Sequence, residues 1–492
     1  MSAPISRRRA LVLGGAGAVA VVAGTTGWIA TADNGPGLSD NGSGAAATGA
    51  ELGAPPLLDS SEGRLQIELV AARGVRLAGY DTRALGFNGT SPGPTLRVRP
   101  GDELAVRLTN RLDQPTNLHT HGLRVSPQGN SDNPFLRVDP GTSFDYLIRV
   151  PTDHPAGTHW YHPHHHGTVA DQVSGGLAGA LIVDGGPALP VAADRVLHVS
   201  DITLDTTGTP VPASPMERMQ GREGALVLVN GQHQPGIPAV PQATQRWRIV
   251  NTCVARVLSL RLEGHPLAQI AHDGTYLRAP AHRDRLVLAP GSRADVLVTP
   301  TGTGRFALIT DPYDRGTMGG MRGGGTLAAG PITVATLVSS GAPAPTPALP
   351  AALPAEPAPP PATAERTITF QMGMGSTGGM GGGMGMAFTI DGRSFDPART
   401  DQHITAGTTE DWTVRNNGPL AHPFHLHAWP FTVLATSDAT PVSGVPQDVV
   451  LVPPAGWARI RIPFTHQTGR TVYHCHILDH EDLGMMATID VQ

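Results

Sequence analysis

The sequence predicts an all-β protein built from three β-sandwich domains. Its 492 residues include 61 Gly and 46 Pro, a composition that favours short strands and turns over long helices. Short runs of Val, Leu, Ile and Thr bounded by Gly, Pro, Asn or Asp, such as Thr95–Asp102, are typical of strands. The length allows about three domains at ~150 residues each.

A repeated pattern locates the three domains. A five-residue segment that reads as a strand and ends in Asn occurs three times, at Val106–Asn110, Trp247–Asn251 and Trp412–Asn416. Upstream of each copy lies a dipeptide typical of a tight hairpin turn, which is Asn88-Gly89, Asn230-Gly231 or Asp391-Gly392. The long period and the β pattern together predict separate sandwiches and not a solenoid.

These features divide the chain into six segments. We expect an export signal at 1–32, a flexible leader at 33–54, a first domain at 55–190, a second domain at 191–340, a Pro- and Ala-rich extended linker at 341–363, and a third domain at 364–492.

The first segment predicts export. Arg7, Arg8 and Arg9 precede an apolar run that ends at the small-residue cleavage site Ala30-Thr31-Ala32. Paired arginines in this position indicate the twin-arginine export machinery as a partner. We therefore expect the protein in the periplasm, in the cell envelope or outside the cell. The alternative is an uncleaved membrane anchor, since the run is nearly long enough to span a bilayer.

Charge and cysteine content exclude two other classes. A net charge of −5 without a basic stripe does not fit a nucleic-acid-binding protein. Only two cysteines occur, so no disulfide framework is expected. Cys253, in Asn-Thr-Cys-Val-Ala, is predicted to be a small buried apolar side chain, whereas Cys475 lies inside a histidine cluster.

Four His-x-His pairs predict a metal cavity. Alternate residues of a strand share a face, so each pair presents two imidazoles to one side. If the first and third domains pack face to face, eight histidines line one cavity that suits three copper ions: His119, His121, His162, His164, His425, His427, His474 and His476. The aligned segments of the middle domain, Leu260–Leu262 and Gly302–Ile309, carry no ligands, so that domain is expected to be a spacer.

Cys475 points to the opposite face from its two neighbours and predicts a second kind of copper site. His422, His480 and a weak axial Met485 complete a ligand set typical of a blue-copper electron-transfer centre. Met486 is the competing axial candidate. The peptide bonds on either side of Cys475 connect this site to two ligands of the cavity.

From about residue 55 to its end, the chain resembles a three-domain bacterial multicopper oxidase. The motifs that carry the resemblance are His-Thr-His-Gly, His-Pro-His-His-His-Gly, His-Pro-Phe-His-Leu-His and His-Cys-His-Ile-Leu-Asp-His-Glu-Asp-Leu-Gly-Met-Met. It implies cupredoxin-like Greek-key domains, four copper ions, and one-electron oxidation of a substrate coupled to reduction of dioxygen to water. A monomer is expected, because one chain holds both metal-bearing domains.

The resemblance also implies which copper each ligand binds. Type 1 copper would take His422, Cys475, His480 and Met485, and type 2 copper would take His119 and His425. The type 3 pair would take His121, His162, His164, His427, His474 and His476.

Three acids match acids of the family. Asp132 and Glu481 are expected to relay protons during dioxygen reduction or, alternatively, to orient ligands by hydrogen bonding. Asp448 resembles an acid beside a type 1 histidine, where it would guide electron entry or fix the ring. His159, His165 and His166 are expected to surround the ligands or to face solvent.

Methionines indicate the substrate. Seven of the 12 lie in two Gly-rich segments where no core would bury them: Met318 and Met321, then Met372, Met374, Met380, Met384 and Met386. Thioethers select Cu(I). The copper-exporting members of the family that this chain resembles carry a Met-rich insert at the position of the second segment. The preferred substrate is therefore Cu(I) or another low-valent metal ion, with a role in copper tolerance. The alternatives are a laccase-like oxidase of phenols and aromatic amines, with the segment a loop that shades the site, or a non-catalytic copper-binding protein.

Overall fold

A computed structural model describes residues 49–317, 330–348, 350–376, 384–440 and 442–492. The predicted export signal and most of the leader lie outside these residues, as do Met318, Met321 and Met380. The side chains of Met374 and Met384 also lie outside the described part. Among the described residues, no helix combines the length and apolarity needed to cross a membrane.

The first domain is a sandwich of two sheets. Its strands and helix are β1 Leu57–Asp59, β2 Arg64–Arg73, β3 Arg76–Leu77, β4 Tyr80–Asp81, β5 Leu85–Phe87, β6 Thr95–Val98, β7 Glu103–Asn110, β8 His119–His121, β9 Ser143–Arg149, β10 Gly157–His162, α1 Val169–Ser174 and β11 Gly179–Val183. One sheet has the order β1-β6-β11-β10-β8 and the other the order β5-β2-β7-β9. Alternating buried residues of both sheets form the core between them.

The middle domain is a larger sandwich with its own core. Its elements are β12 Ala193–Ile202, α2 Pro215–Gln220, β13 Leu226–Val229, β14 Gln232–His233, β15 Gly236–Ala239, β16 Gln245–Asn251, β17 Leu258–Leu262, β18 Leu267–His272, β19 Thr275–Arg283, β20 Leu286–Leu288, β21 Arg293–Val298, β22 Gly304–Thr310 and β23 Ile332–Ser339. A sheet ordered β14-β13-β12-β16-β21-β18-β19 packs on one ordered β15-β23-β22-β17-β20.

The third domain repeats the arrangement. Its elements are β24 Ala364–Ser376, β25 Met384–Ile390, β26 Gln402–Ile404, β27 Thr409–Asn416, β28 His422–Leu426, β29 Phe431–Thr436, β30 Pro446–Gln447, β31 Val449–Val452, β32 Trp457–Pro463, β33 Gly469–Cys475, α3 Leu478–Asp482 and β34 Met486–Val491. The sheets have the orders β25-β24-β27-β32-β29-β30 and β26-β34-β33-β28-β31. The prediction of three all-β sandwiches is confirmed.

The repeated turn and Asn seen in the sequence have the same structural role in each domain. Both residues of each turn dipeptide have positive φ, for example 54° at Asn88 and 76° at Gly89, as a tight hairpin turn requires. The Asn at the end of each repeated strand donates from Nδ2 to two or three backbone carbonyls. In the first domain these carbonyls belong to Gln114 and Val138, at 2.8 and 2.9 Å.

One sequence expectation about the backbone was wrong in detail. The leader does not remain flexible to residue 54, because Leu52 enters the core of the middle domain and its N–H donates to the Gly236 carbonyl at 2.8 Å. In the middle domain the strand register pairs Leu260 with Thr310. β22 also has an irregularity against β23, between Leu308 and Ile309.

Candidate metal centre

Eight buried histidines from the first and third domains face one another in one cavity, the histidine cavity. Across the domain interface the His119 ring stacks on His427 with centroids 3.8 Å apart, and His121 stacks on His425 at 3.9 Å. All eight are at most 1% exposed: His119, His121, His162, His164, His425, His427, His474 and His476. The four clusters thus meet between the outer domains, where the sequence placed them.

Strand pairing explains why each domain points its histidines the same way. His119 lies opposite His162 in the β8–β10 pair, and the corresponding pair in the third domain sets His425 opposite His474. Directly opposed side chains share a face of the sheet, so each pair of clusters projects its rings to one side. His164, His427 and His476 follow the ends of these strands and reach the same cavity.

Ring nitrogens converge in groups of three. His474 Nε2 lies 3.1 Å from His164 Nε2 and 3.2 Å from His427 Nε2. In two further groups, the ligand atoms of His119 with His425 and His427, and of His119 with His121 and His162, lie within 4.8 Å of one another. Such close approach of neutral imidazole nitrogens is the arrangement of metal ligands.

Orphaned ring nitrogens show that the cavity fits metal ions. A buried polar atom without a partner is costly, yet several cavity nitrogens have no hydrogen-bond partner among the residues that the structure describes: His119 Nε2, His121 Nδ1, His162 Nε2, His164 Nδ1, His425 Nε2, His427 Nδ1 and both nitrogens of His476. Burial lowers the pKa of His162 and of His425 to about 3, so both rings are neutral at pH 7. Neutral imidazole is a good ligand for copper.

In several of these rings, the nitrogen that faces away from the cavity is hydrogen-bonded to a fixed acceptor. His119 Nδ1 lies 3.0 Å from both carboxylate oxygens of Asp132. His425 Nδ1 donates to the Asp448 carbonyl at 2.8 Å, and His162 Nδ1 donates to the Pro163 carbonyl at 2.8 Å. These contacts fix each ring and its tautomer so that the other nitrogen faces the cavity.

A second cluster lies on the other side of β33. Cys475 Sγ is 3.3 Å from His422 Nδ1 and 3.8 Å from His480 Nδ1, and the two nitrogens are 3.3 Å apart. Met485 is buried in the same core cluster, and its backbone is tied to this loop because the Cys475 N–H donates to the Met485 carbonyl at 3.0 Å. Met486 lies opposite His474 in the β33–β34 pair.

Cys475 has the environment of a ligand and not of a free thiol. Burial raises the pKa of its thiol, so the thiolate needs a bound cation to form at neutral pH. The Ile477 N–H donates to Sγ at 3.4 Å, which stabilises negative charge there. A metal ion held by His422, Cys475 and His480 would supply that cation.

Asp132 and Glu481 lie beside the histidine cavity, as expected. Burial raises the pKa of Asp132 to about 7, although the Thr120 N–H bond opposes the shift. Glu481 is fully buried, and its oxygens lie 3.7 Å from His164 Nε2 and 3.5 Å from His474 Nδ1. Burial, with a smaller effect of Asp482, raises the pKa of Glu481 well above its usual value.

The expected position of Asp448 beside a type 1 histidine was wrong. Its carboxylate lies 2.8 Å from His121 Nε2 and 3.6 Å from His425 Nδ1, both in the histidine cavity. The reason is the strand register: Asp448 precedes β31, and Val449 pairs with His425, whereas His422 pairs with Val452 at the far end. Asp448 therefore orients cavity ligands.

Residues of the middle domain reach the cavity, which the sequence analysis missed. Arg293 is fully buried and donates from both terminal nitrogens to the Asp448 carboxylate at 2.7 Å. Asp273 lies 3.5 Å from the same guanidinium. A Cβ on Gly291 would come within 3.0 Å of the His476 ring, so glycine permits this close approach. The available signal was the pair of charged residues, Arg293 and Asp295, at the start of the otherwise apolar strand β21.

The remaining candidates take peripheral places. His159 is buried and neither ring nitrogen has a hydrogen-bond partner within the described structure, while His165 and His166 are partly exposed. Cys253 is buried at 1% exposure, as predicted. Met372 and Met386 are half-buried against the core of the third domain.

Comparisons with known proteins agree with this geometry. Three family models described as multicopper oxidase match residues 70–187, 157–342 and 360–492. Multicopper oxidase mco of Staphylococcus haemolyticus is 29% identical over 83% of this chain and 84% of its own length. The cell division protein FtsP of Edwardsiella tarda is 31% identical over 81% and 83%.

Solved structures give the same result. A multicopper oxidase from Campylobacter jejuni, titled a metallo-oxidase, superposes with a TM-score of 0.79 at 30% identity and covers 90% of this chain and 96% of its own. A laccase-like multicopper oxidase from Ochrobactrum sp., with oxidase activity towards lignin model compounds, gives 0.76 at 26% identity over 90% and 100%.

Proposed function

Since this chain belongs to the multicopper oxidase family, we propose that it oxidises Cu(I), or another low-valent metal ion, and reduces dioxygen to water. The observation that carries the proposal is the pair of complete ligand clusters with unpartnered ring nitrogens. When bound, a type 1 copper would exchange single electrons with the substrate, and three further coppers would supply four-electron reduction of dioxygen. The Campylobacter jejuni relative titled a metallo-oxidase supports a metal-ion substrate.

The ligand assignment follows the two clusters. Type 1 copper is assigned to His422, Cys475 and His480 with axial Met485, and type 2 copper to His119 and His425. The type 3 pair is assigned to the other six residues of the histidine cavity. Cys475 links the clusters, because its peptide bonds join it directly to His474 and His476.

Asp132 and Glu481 have the protonation behaviour that dioxygen reduction needs. With a pKa of about 7, the Asp132 carboxylate can hold and release a proton near neutrality beside His119 Nδ1. Burial raises the pKa of Glu481 well above its usual value, which favours a proton on a carboxyl oxygen close to His164 and His474. We assign proton delivery to both acids and ligand orientation to Asp448.

A second substrate class and a non-enzymatic role compete with this proposal. The laccase-like relative from Ochrobactrum sp. favours phenols and other aromatic donors as the second candidate. The relatives named cell division protein favour a protein without turnover as the third. We further propose that the protein is exported through the twin-arginine route and works as a monomer, since one chain carries both clusters.

Oxygen uptake by the purified copper-loaded protein tests the choice. We expect uptake with Cu(I) as a defined complex, four electrons consumed per dioxygen, and a lower KM for Cu(I) than for 2,6-dimethoxyphenol. Faster turnover of the phenol than of Cu(I) would favour the laccase-like candidate. A fully copper-loaded protein that consumes no oxygen with any of these donors would favour the third candidate.

The variant Cys475→Ser tests the assignment of the type 1 copper site. The hydroxyl replaces the thiol with little change in volume but cannot give a thiolate-to-copper absorption band. We expect the blue colour and substrate oxidation to vanish while metal analysis still finds the cavity coppers. Blue colour in this variant would contradict the assignment.

A further inference from the structure

The short helix α3, Leu478–Asp482, carries one residue of each functional cluster. His480 belongs to the type 1 cluster, and Glu481 lies beside the histidine cavity. A helix of five residues is too short to be stable in isolation, and its N-cap residue, Ile477, has an apolar side chain that cannot accept a hydrogen bond from the first turn. The position of α3 therefore depends on the groups packed around it, which the first and middle domains supply.

The middle domain holds α3 through Asp479. This buried carboxylate accepts from the backbone N–H of Arg222 at 3.0 Å, and from Nε and Nη2 of the same residue at 3.0 and 2.6 Å. The remaining guanidinium nitrogen, Nη1, donates to Asp171 of α1 in the first domain at 2.7 Å. The planar guanidinium has its donors in a fixed fork, so it holds both carboxylates in one geometry. Arg222 thus joins all three domains at the helix that contains His480.

The same segment of the middle domain contacts the His480 ring. Its Nε2–H donates at 3.0 Å to the carbonyl of Met219, three residues before Arg222. This bond fixes the tautomer in which the lone pair of Nδ1 faces Cys475. A displacement of Arg222 would therefore reach the ring by two routes, through the backbone of α3 and through this carbonyl.

The first domain holds the other end of α3 through Asp482. Its carboxylate accepts from the backbone N–H groups at the start of α1, which are those of Gly167, Val169 and Ala170 at 2.6, 3.3 and 2.8 Å. In the described part of the chain, neither carboxyl oxygen of Glu481 has a hydrogen-bond partner. Its distances of 3.5 and 3.7 Å from ring nitrogens of the cavity are therefore set by the backbone that Asp482 anchors.

We propose that Arg222 and Asp482 are positioning residues for two separate steps of the reaction. Arg222 holds His480 in place through Asp479, which serves electron entry at the type 1 site. Asp482 holds Glu481 in place, which serves proton delivery at the histidine cavity. This assignment, which rests on the proposed function, makes the two steps separable, because each depends on a different neighbouring domain.

The first test measures the type 1 site without turnover. Arg222→Met removes the cation beside Asp479. Arg218→Met is the matched control, because Arg218 pairs with the same Asp171 at 3.1 Å but, among the described residues, has no bond to α3. In the copper-loaded protein we expect Arg222→Met to retain the blue band, with a shifted reduction potential and a changed copper hyperfine splitting in the electron paramagnetic resonance spectrum. Arg218→Met should match wild type.

A double variant keeps this test available if Arg222→Met does not fold. Combining Arg222→Met with Asp479→Leu leaves no unpaired charge on α3, and Asp171 retains Arg218. Since the double variant also lacks the anchor, it should show the same direction of change in the potential and in the hyperfine splitting.

The second test isolates the reaction with dioxygen. Asp482→Asn keeps one oxygen for the N–H groups of α1 but replaces the other by an N–H donor that repels them. Protein reduced beforehand with dithionite should consume dioxygen about 10-fold more slowly than wild type, the lower end of the cost of losing an outer partner. The solvent deuterium isotope effect should rise, because proton delivery by Glu481 then limits the rate. The type 1 potential and resonance spectrum should be those of wild type.

The proposal requires the two phenotypes to be separate. It is overturned if Arg222→Met, or the double variant in its place, leaves the type 1 potential and spectrum unchanged, or if Arg218→Met changes them as much. It is also overturned if Asp482→Asn alters the type 1 site as strongly as the dioxygen reaction, or alters neither. These measurements use no Cu(I), so a wild type that gives the expected values but does not oxidise Cu(I) would overturn the proposed function alone.

Discussion

The β17–β22 pair of the middle domain and the β8–β10 and β28–β33 pairs of the outer domains occupy equivalent places in three copies of one sandwich. In the middle copy, Leu260 and Leu262 join the apolar core. In the outer copies, imidazoles fill the corresponding region and leave ring nitrogens without partners. The sandwich therefore folds with either leucines or histidines at these positions. The metal centre depends on the side chains of this strand pair in the two outer domains and not on the fold.

The largest effect on activity is expected when a cavity histidine is replaced by the leucine that the middle domain has at the equivalent position. His427→Leu removes a nitrogen 3.2 Å from His474 Nε2 and replaces it with the side chain that the middle domain uses. We expect dioxygen reduction to fall at least roughly 1,000-fold, because removing even a partner of a ligand costs about 10–100-fold. The blue band should remain, as absorption spectroscopy can show.

The apoprotein of the same variant supplies the control. Because leucine has no polar atom to leave unpaired, copper-free His427→Leu should unfold at the same or a higher temperature than copper-free wild type. A clear loss of apoprotein stability would mean that the cavity histidines are structural and that the comparison between domains fails.

A second prediction concerns what the middle domain contributes despite its lack of ligands. Arg293→Met keeps the length of the side chain but leaves Asp448 and Asp273 buried without their cation. Breaking a buried pair in this way costs roughly 3–5 kcal/mol, so chemical denaturation should show a loss of that size. Arg461→Met is the control, since Asp411 retains Arg459 and the pair is more exposed, and it should cost no more than about 1 kcal/mol. Equal losses of unfolding free energy in the two variants would show that Arg293 does not specifically stabilise the metal centre.

A further prediction concerns how the stability of the outer and middle domains depends on pH. Burial lowers the pKa of His162, His422 and His425 to about 3, from 6.5 in the unfolded chain, so the unfolded chain binds more protons below pH 6.5. Stability is complete above pH 6.5 and is lost as the pH falls towards 3, at about 1.4 kcal/mol per pH unit for each histidine. Hydrogen exchange of the apoprotein, corrected for intrinsic rates, should show that β28 and β33 lose protection at pH 5 before β16 and β21. Uniform loss in all three domains would contradict this.

Local patterns in the sequence predicted the fold and most of the candidate ligands. The turn at Asn88-Gly89 and the alternation of His119 and His121 depend only on neighbours along the chain, and the structure has both as expected. Asp448 was misplaced because a strand register decides which histidine it meets. Arg293 and Met219 were missed because each reaches its partner across a domain interface, and no periodicity within one segment reports such a contact.

The separation of the cavity ligands along the chain has a consequence for biosynthesis. His164 and His474, whose nitrogens meet at 3.1 Å, are 310 positions apart. A nascent chain therefore carries half of the cavity for most of its translation and cannot complete it until the third domain has emerged and closed on the first. A product that ends before the third domain lacks four of the eight cavity histidines, so the order of synthesis delays assembly of the complete cavity until that domain is made.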